Sequence, residues 1–409
     1  MLNQNFTSRN FLRLLTKQDI FQYGLGDSIA DYMLKFDAAA ALIEKENFQF
    51  SPFIKYSLAH GDVISPSCLA DEFALRKLND NIKRVFNIGV IDRNRIIPQV
   101  KVLLAETGEY WVQKLDIKKF FESIDRHELQ KIVFDDPRIS YESKRMLGKL
   151  FACSEMTAAS GLKRGISLSS TLSELYMRKF DTACRMMDKS YFYTRYVDDI
   201  IILFHEKPDN IFNELAKQLP PGLSFNEEKC TFVHHPRKGP VVVSDGKQCI
   251  TYLGYEFNYL SDGPQKSSSL EVGIASKKIQ KIKTRIALAL FDFCKIQNYD
   301  LLKKRLKFLS SNYRLGGDSG SGKLYAGIHF NHSLIDESRL SDLKGIDNFF
   351  CKAIFSRKGS LGKRLGPLLT MDQRRELCRL SLFHGHKEKI VRPFDRSEFR
   401  EIKSIWNHV

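Results

Sequence analysis

Three acidic residues, spread over two short segments, have the types and setting to do chemistry together. One segment is Val112-Gln113-Lys114-Leu115-Asp116-Ile117-Lys118-Lys119-Phe120-Phe121, the other Tyr193-Thr194-Arg195-Tyr196-Val197-Asp198-Asp199-Ile200-Ile201-Ile202-Leu203-Phe204. The second reads as strand, tight turn, strand, with Asp198-Asp199 at the tip. A solvated turn also accepts two aspartates. The run that follows, Ile200 to Phe204, is wholly apolar, however. Charges abutting such a strand are costly unless they meet a metal or a partner. Asp116 likewise ends an apolar strand and begins a turn into Phe120-Phe121.

Carboxylates brought together from separate strands can hold a pair of Mg²⁺ ions, roughly 3.5–4 Å apart, that stabilise the attacking and leaving oxygens of phosphoryl transfer. Hard oxygen ligands suit magnesium. Neighbours on a strand point to opposite faces, so Asp198 and Asp199 need not do the same job. One faces Asp116 and the metals; the other acts from behind it or reaches a metal by a bent route.

The elements around these acids set a frame. Residues 1–80 read as a helical N-terminal region. Val85 to Ile91 and Arg95-Ile96-Ile97-Pro98 read as short strands. From Trp111 to Phe257 strand-like and helix-like runs alternate, which predicts an α/β or α+β layer. Ser261-Asp262-Gly263-Pro264 marks a turn and a boundary. Beyond it the chain reads as helical, broken by a glycine-rich stretch at 316–322. Gly317 to Lys323 matches most of a phosphate loop, but Leu324 stands where Ser or Thr should hold magnesium, and the stretch reads as a linker.

Charge follows the same division. The chain has 409 residues and a net charge of +16. Residues 264–409 hold 29 basic and 14 acidic side chains, so nearly all the excess lies there. That asymmetry points to a polyanion, most often nucleic acid. The basic positions from Lys277 to Lys307 have helical spacing, with Ile279, Ile282, Ile286, Leu290 and Phe291 facing a core. No apolar run is long enough for a transmembrane helix. The start lacks the marks of a secretory signal, and the eight scattered cysteines contain no C-x-x-C, so reduced thiols and a cytoplasmic location are expected.

The ordered blocks resemble the reverse transcriptases. Tyr196-Val197-Asp198-Asp199 looks like their catalytic turn, and Leu115-Asp116-Ile117-Lys118-Lys119-Phe120-Phe121 like their first palm motif. Gly165-Ile166-Ser167-Leu168-Ser169 resembles the block between, Leu223 to Lys229 the next, and Tyr252-Leu253-Gly254-Tyr255-Glu256-Phe257 the primer-gripping hairpin. The resemblance covers about residues 80–310. It implies a right-hand polymerase fold: fingers and palm at 81–263, a basic helical thumb at 264–315 and a basic helical C-terminal extension at 323–409. The usual Gly-x-Pro-Gln-Gly is altered here, its Gln replaced by Leu168. With the compact chain and helical extension, that departure is similar to the bacterial defence-associated (abortive-infection or unknown-group) enzymes, in particular the small type-two members.

The resemblance further implies roles. Asp116, Asp198 and Asp199 are catalytic and bind two Mg²⁺ ions with the Ile117 carbonyl. Arg93, Arg95, Gly165 and Lys229 meet the incoming nucleotide. Phe121 sits where a bulky ring clashes with a 2′-hydroxyl; the bland reading makes it and Phe120 both core. Tyr252, Leu253, Gly254, Lys303, Lys304 and Arg305 grip primer and template. Partners would be dNTPs, a DNA product and a structured noncoding RNA as template, with no membrane. Template-independent synthesis by the same site, and a nonenzymatic RNA-binding module on a polymerase scaffold, are the alternatives.

Overall fold

A computed structural model describes residues 2–58, 61–89, 92–157, 160–261, 263, 266, 268–315 and 324–406. The glycine-rich stretch at 316–323 and parts of the 262–267 turn lie outside the described residues. The chain packs as two compact units, one formed by 1–93 with 109–235, the other by 94–108 with 236–409.

The first unit begins with helices, as expected. The helix Ile29–Glu44 starts at Ser28, whose side chain accepts from the Asp31 N–H while Asp31 reaches back to the Ser28 N–H. The expected all-helical start is interrupted, though. Strands β1 (Ile54–Leu58) and β2 (Gly61–Ser65) form an antiparallel hairpin. Val85 is not in a strand either; it ends the helix Leu69–Val85. This helix buries Phe73, Leu78 and Ile82 in the unit's core with Phe11 and Phe36.

Four further strands belong to this unit: β3 (Tyr110–Asp116), β4 (Ser190–Tyr196), β5 (Asp199–Phe204) and β6 (Thr231–His235), in the spatial order β4-β5-β3-β6, each pair antiparallel. The apolar run Ile200 to Phe204 fills β5, and all five side chains are fully buried. Each such burial contributes about 1.5–3 kcal/mol as an upper estimate. That is enough to hold the strand in place although two carboxylates abut its first residue. The helix Ser167–Arg185 packs against β4.

The second unit holds the short strand β7 (Val242–Val243) and a three-stranded antiparallel sheet of β8 (Cys249–Tyr252), β9 (Tyr255–Leu260) and β10 (Ser269–Ile274), in the order β10-β9-β8. The helices Ser276–Ile296 and Tyr299–Leu309 follow, then the hairpin β11 (Asn312–Leu315) with β12 (Leu324–Gly327) and a set of short helices. Its own core collects Ile286, Leu290, Leu306, Ile346, Phe350 and Trp406. Arg95-Ile96-Ile97-Pro98, expected as a strand, lies in the helix Arg93–Leu104. Buried Ile96, Ile97, Val100 and Leu104 have the spacing of one helix face, and that pattern outweighs the β preference of the Ile-Ile pair.

Among the described residues no helix is long and apolar enough to cross a membrane.

Candidate active site

Register brings the acids together. β3 and β5 pair so that Asp116 stands directly opposite Asp199. β4 and β5 pair from Tyr196 with Asp199, leaving Val197 and Asp198 as the turn. Val197 has φ of 59°, a left-handed conformation that is strained for a β-branched residue, by about 1–3 kcal/mol. The turn is tied to the end of β3, where the Ile117 N–H donates to the Asp198 carbonyl over 3.1 Å. Asp199 is thus the first residue of a buried strand, and Asp198 stands at the tip beside it.

The acids feel one another. Burial, with the Asp116 charge adding to it, raises the Asp198 carboxyl, while Lys229 and Arg164 pull it down. Burial also pushes Asp199 up to about 6, aided by Asp198 and Asp116 and opposed by Lys114. The shift from 3.8 corresponds to ~3 kcal/mol of unfavourable charge. A cation placed among these oxygens would relieve it.

One cation is already present. Lys229 Nζ lies 3.1 Å from Oδ1 and 3.0 Å from Oδ2 of Asp116. The chain delivers it by stitching 224–229 to the end of β3. Lys118 N–H donates to Ser224 O over 2.9 Å, and Asn226 N–H to Asp116 O over 2.7 Å. Burial lowers the Lys229 ammonium, but its bonds to Asp116 and the charges of Asp198 and Asp199 outweigh that and raise it. Among the described residues, no group of three or more His, Cys, Asp or Glu is arranged to hold a metal ion.

The turn rests on a brace that the sequence did not reveal. Arg195, 1% exposed in its side chain, bonds Asp181 at 2.8 Å and Glu174 at 2.6 Å, both on the helix Ser167–Arg185. It also donates to the Val197 carbonyl over 2.9 Å. Lys114 was missed as well, although its position two residues before Asp116 puts it on the same strand face.

The altered middle block has a physical account. Leu168 is fully buried, so the residue standing in for the usual Gln fills core. Gly165 has φ of 106°, and a Cβ there would lie 2.2 Å from the Ile64 carbonyl oxygen. Only glycine allows β2 that close. Phe120 is core at 2% exposure, whereas Phe121 is half-buried, with ring centroids 5.3 Å apart. The two rings therefore do not share the all-core reading.

The second unit holds other expected site residues. Tyr252 is buried, while Leu253 and Gly254, at φ of 46° and 85°, form the half-buried bend of the β8–β9 hairpin. Lys303, Lys304 and Arg305 do not form an open basic cluster. Lys303 pairs with Glu376, Lys304 with Glu398 at 2.9 Å, and Arg305, 2% exposed, with Asp292. Arg305 is a buried link between two helices. Unbalanced charge lies instead on the helix Ser276–Ile296: burial lowers Lys281 and Arg285, and for Lys281 the neighbouring Arg285 and Lys278 lower it further. Arg93 and Arg95 stand on the first turn of a helix, Arg95 exposed.

Residues 71–257 match the family model described as reverse transcriptase (RNA-dependent DNA polymerase). All three carboxylates, Lys229 and the β8–β9 bend fall inside that stretch. The mixed helix and sheet arrangement fits the right-hand polymerase fold of that domain. Among solved structures, apo telomerase from Candida tropicalis, truncated from its C-terminal domain, is similar at 14% identity with a TM-score of 0.33, over 63% of this chain and 50% of that one. This chain thus spans half the length of that relative. No curated protein matches.

Proposed function

We propose that this chain is a magnesium-dependent RNA-directed DNA polymerase, working from the reverse transcriptase domain over residues 71–257. The observation that carries the reading is the Asp116–Asp199 register with Asp198 beside it, at the end of a fully buried strand. Three crowded carboxylates, two of them raised, have the donor chemistry for hard divalent ions. Bound there, the ions would supply positive charge to the attacking 3′-hydroxyl and the departing pyrophosphate. Asp116, Asp199, Asp198 and the Ile117 carbonyl would hold them. Lys229 would exchange Asp116 for the triphosphate, and Phe121 would meet the sugar and exclude a 2′-hydroxyl.

Further into the reading, the template is a dedicated structured noncoding RNA copied into cDNA, in some cases repeatedly, and the setting is antiphage defence. The altered Gly165 to Ser169 block is the feature that favours this branch. The same block keeps template-independent synthesis in view, because buried Leu168 cannot offer an amide to a templated base pair. Lys277, Lys278, Lys281 and Arg285 are the residues proposed to meet the phosphate backbone.

The test is synthesis by the purified 409-residue chain with Mg²⁺, dNTPs and the RNA that copurifies. DNA complementary to that RNA supports the reading; DNA with no complement in it supports template-independent synthesis; RNA binding with no synthesis leaves only the binding module.

A further inference from the structure

Phe121 is held by a strap that no sequence motif announces. Residues 160–165 run along the Phe121–Glu122 turn and bond to it twice: Leu162 N–H donates to Phe121 O over 2.7 Å, and Ser160 Oγ to Glu122 O over 3.2 Å. Between them Gly161, at φ of 72°, passes so close that a Cβ would lie 2.3 Å from the Phe121 carbonyl oxygen. The strap's far end is fixed to the hairpin, where Ile64 N–H donates to Arg164 O over 2.8 Å. Arg164 is therefore anchored on both sides before its side chain makes any contact.

That side chain returns to the same turn. Its Nε lies 3.1 Å from Oε1 of Glu122, and its guanidinium carbon is 5.7 Å from the Phe121 ring centroid. Both members of the ion pair are more than a third exposed, so the pair alone would hold little. Held by backbone and pair together, the guanidinium lies over the ring within cation–π range. Phe120 also packs against the ring, with centroids 5.3 Å apart. The half-buried ring thus touches both a core residue and a cation, on the short helix Phe120–Ser123 that follows β3.

We infer that Arg164 is a positioning residue for nucleotide selection: stacked on Phe121 and paired with Glu122, it fixes the angle at which the ring meets the incoming sugar. The inference rests on the polymerase reading and on Phe121 as the sugar gate. It also gives β1–β2 a part in selection, since β2 holds Arg164 in place. Lysine cannot replace it, because an ammonium has no plane to stack and no fork for a carboxylate.

The experiment measures the preference for dCTP over CTP in two ways on the full chain: single-nucleotide extension, and equilibrium binding without turnover. Arg164→Gln and Arg164→Lys should each lower the preference about fivefold. Glu122→Gln should move it less, in the same direction. Phe121→Ala should lower it furthest, and adding Arg164→Gln to Phe121→Ala should change nothing more. An unchanged preference in both Arg164 variants, while Phe121→Ala shifts it, overturns the inference and leaves the gate standing. A further additive shift in the double variant also overturns it, because Arg164 would then act independently of the ring. An unchanged preference in Phe121→Ala removes the gate and the inference with it. Should Arg164→Gln fail to fold, the Arg164→Lys and Glu122→Gln results decide.

Discussion

Lys229 Nζ sits within 3.1 Å of both carboxylate oxygens of Asp116, bridging the residue that opens the site and the segment that closes it. The ammonium is half exposed and Asp116 nearly buried. It must compete with any divalent ion for the same oxygens. Lys229→Gln should therefore tighten Mn²⁺ binding in the absence of nucleotide by about two- to fivefold, the scale of an ion pair worth ~0.5–1 kcal/mol. Turnover should fall in the same variant, since the triphosphate loses a cation. Calorimetry with Mn²⁺ gives the first number; weaker binding would contradict the competition.

Arg195 makes a second relationship testable. It is buried with two carboxylates and the turn carbonyl, and removing it strands Asp181 and Glu174. Arg195→Met should lower unfolding stability by ~3–5 kcal/mol, the usual result of leaving a buried charge unpaired. Chemical denaturation checks it. A loss below about 1 kcal/mol would mean that the brace is dispensable.

The basic helix and the paired lysines predict different salt behaviour. Lys278→Glu with Lys281→Glu should weaken binding to a primer–template duplex and reduce the slope of log affinity against log salt by about two. Lys303→Glu with Lys304→Glu should leave that slope nearly unchanged, because these side chains already pair with Glu376 and Glu398. Filter binding from low to moderate salt separates the two pairs.

A buried and a half-buried histidine, His386 and His329, should give the second unit a pH-dependent stability. His386 Nε2 lies 2.9 Å from the His332 carbonyl, and its ring is 4.9 Å from His329. Burial lowers both His386 and His329. Lys389 lowers both further, and for His329 the His386 ring adds to this. The unfolded state, with histidine near 6.5, then binds more protons than the folded state as pH falls. Stability is complete above about 6.5 and declines as pH drops below it toward the depressed folded values. The thermal midpoint should fall between pH 7 and 5, and His386→Gln should flatten that decline.

What the sequence made legible follows from how local each signal was. Asp198 and Asp199 stood out because two charges abut five apolar residues, and β5 is indeed fully buried. Asp116 could be joined to them because its own segment ends a strand. Phe121 was singled out from Phe120 only through the family resemblance, since which ring is core depends on the helix Phe120–Ser123 and on its neighbours. The pairing of Lys303 to Arg305 was not legible, because the acids that meet them, Glu376, Glu398 and Asp292, come from other helices. Arg164 and Arg195 gave no signal, because their partners lie 42, 21 and 14 residues away. Ile96-Ile97 shows a weak local preference losing to a helical burial pattern.

The central claim is that Asp116, Asp198 and Asp199 form one polymerising site, and Asp198→Asn tests it most directly. The 409-residue chain, purified with its bound RNA, is given Mg²⁺ and labelled dNTPs, and the products are sequenced. The account predicts DNA synthesis by the parent and a drop of roughly 100-fold or more in the variant, with RNA binding and thermal midpoint retained. Undiminished synthesis in Asp198→Asn, or RNA bound by the parent with no DNA made, would contradict it.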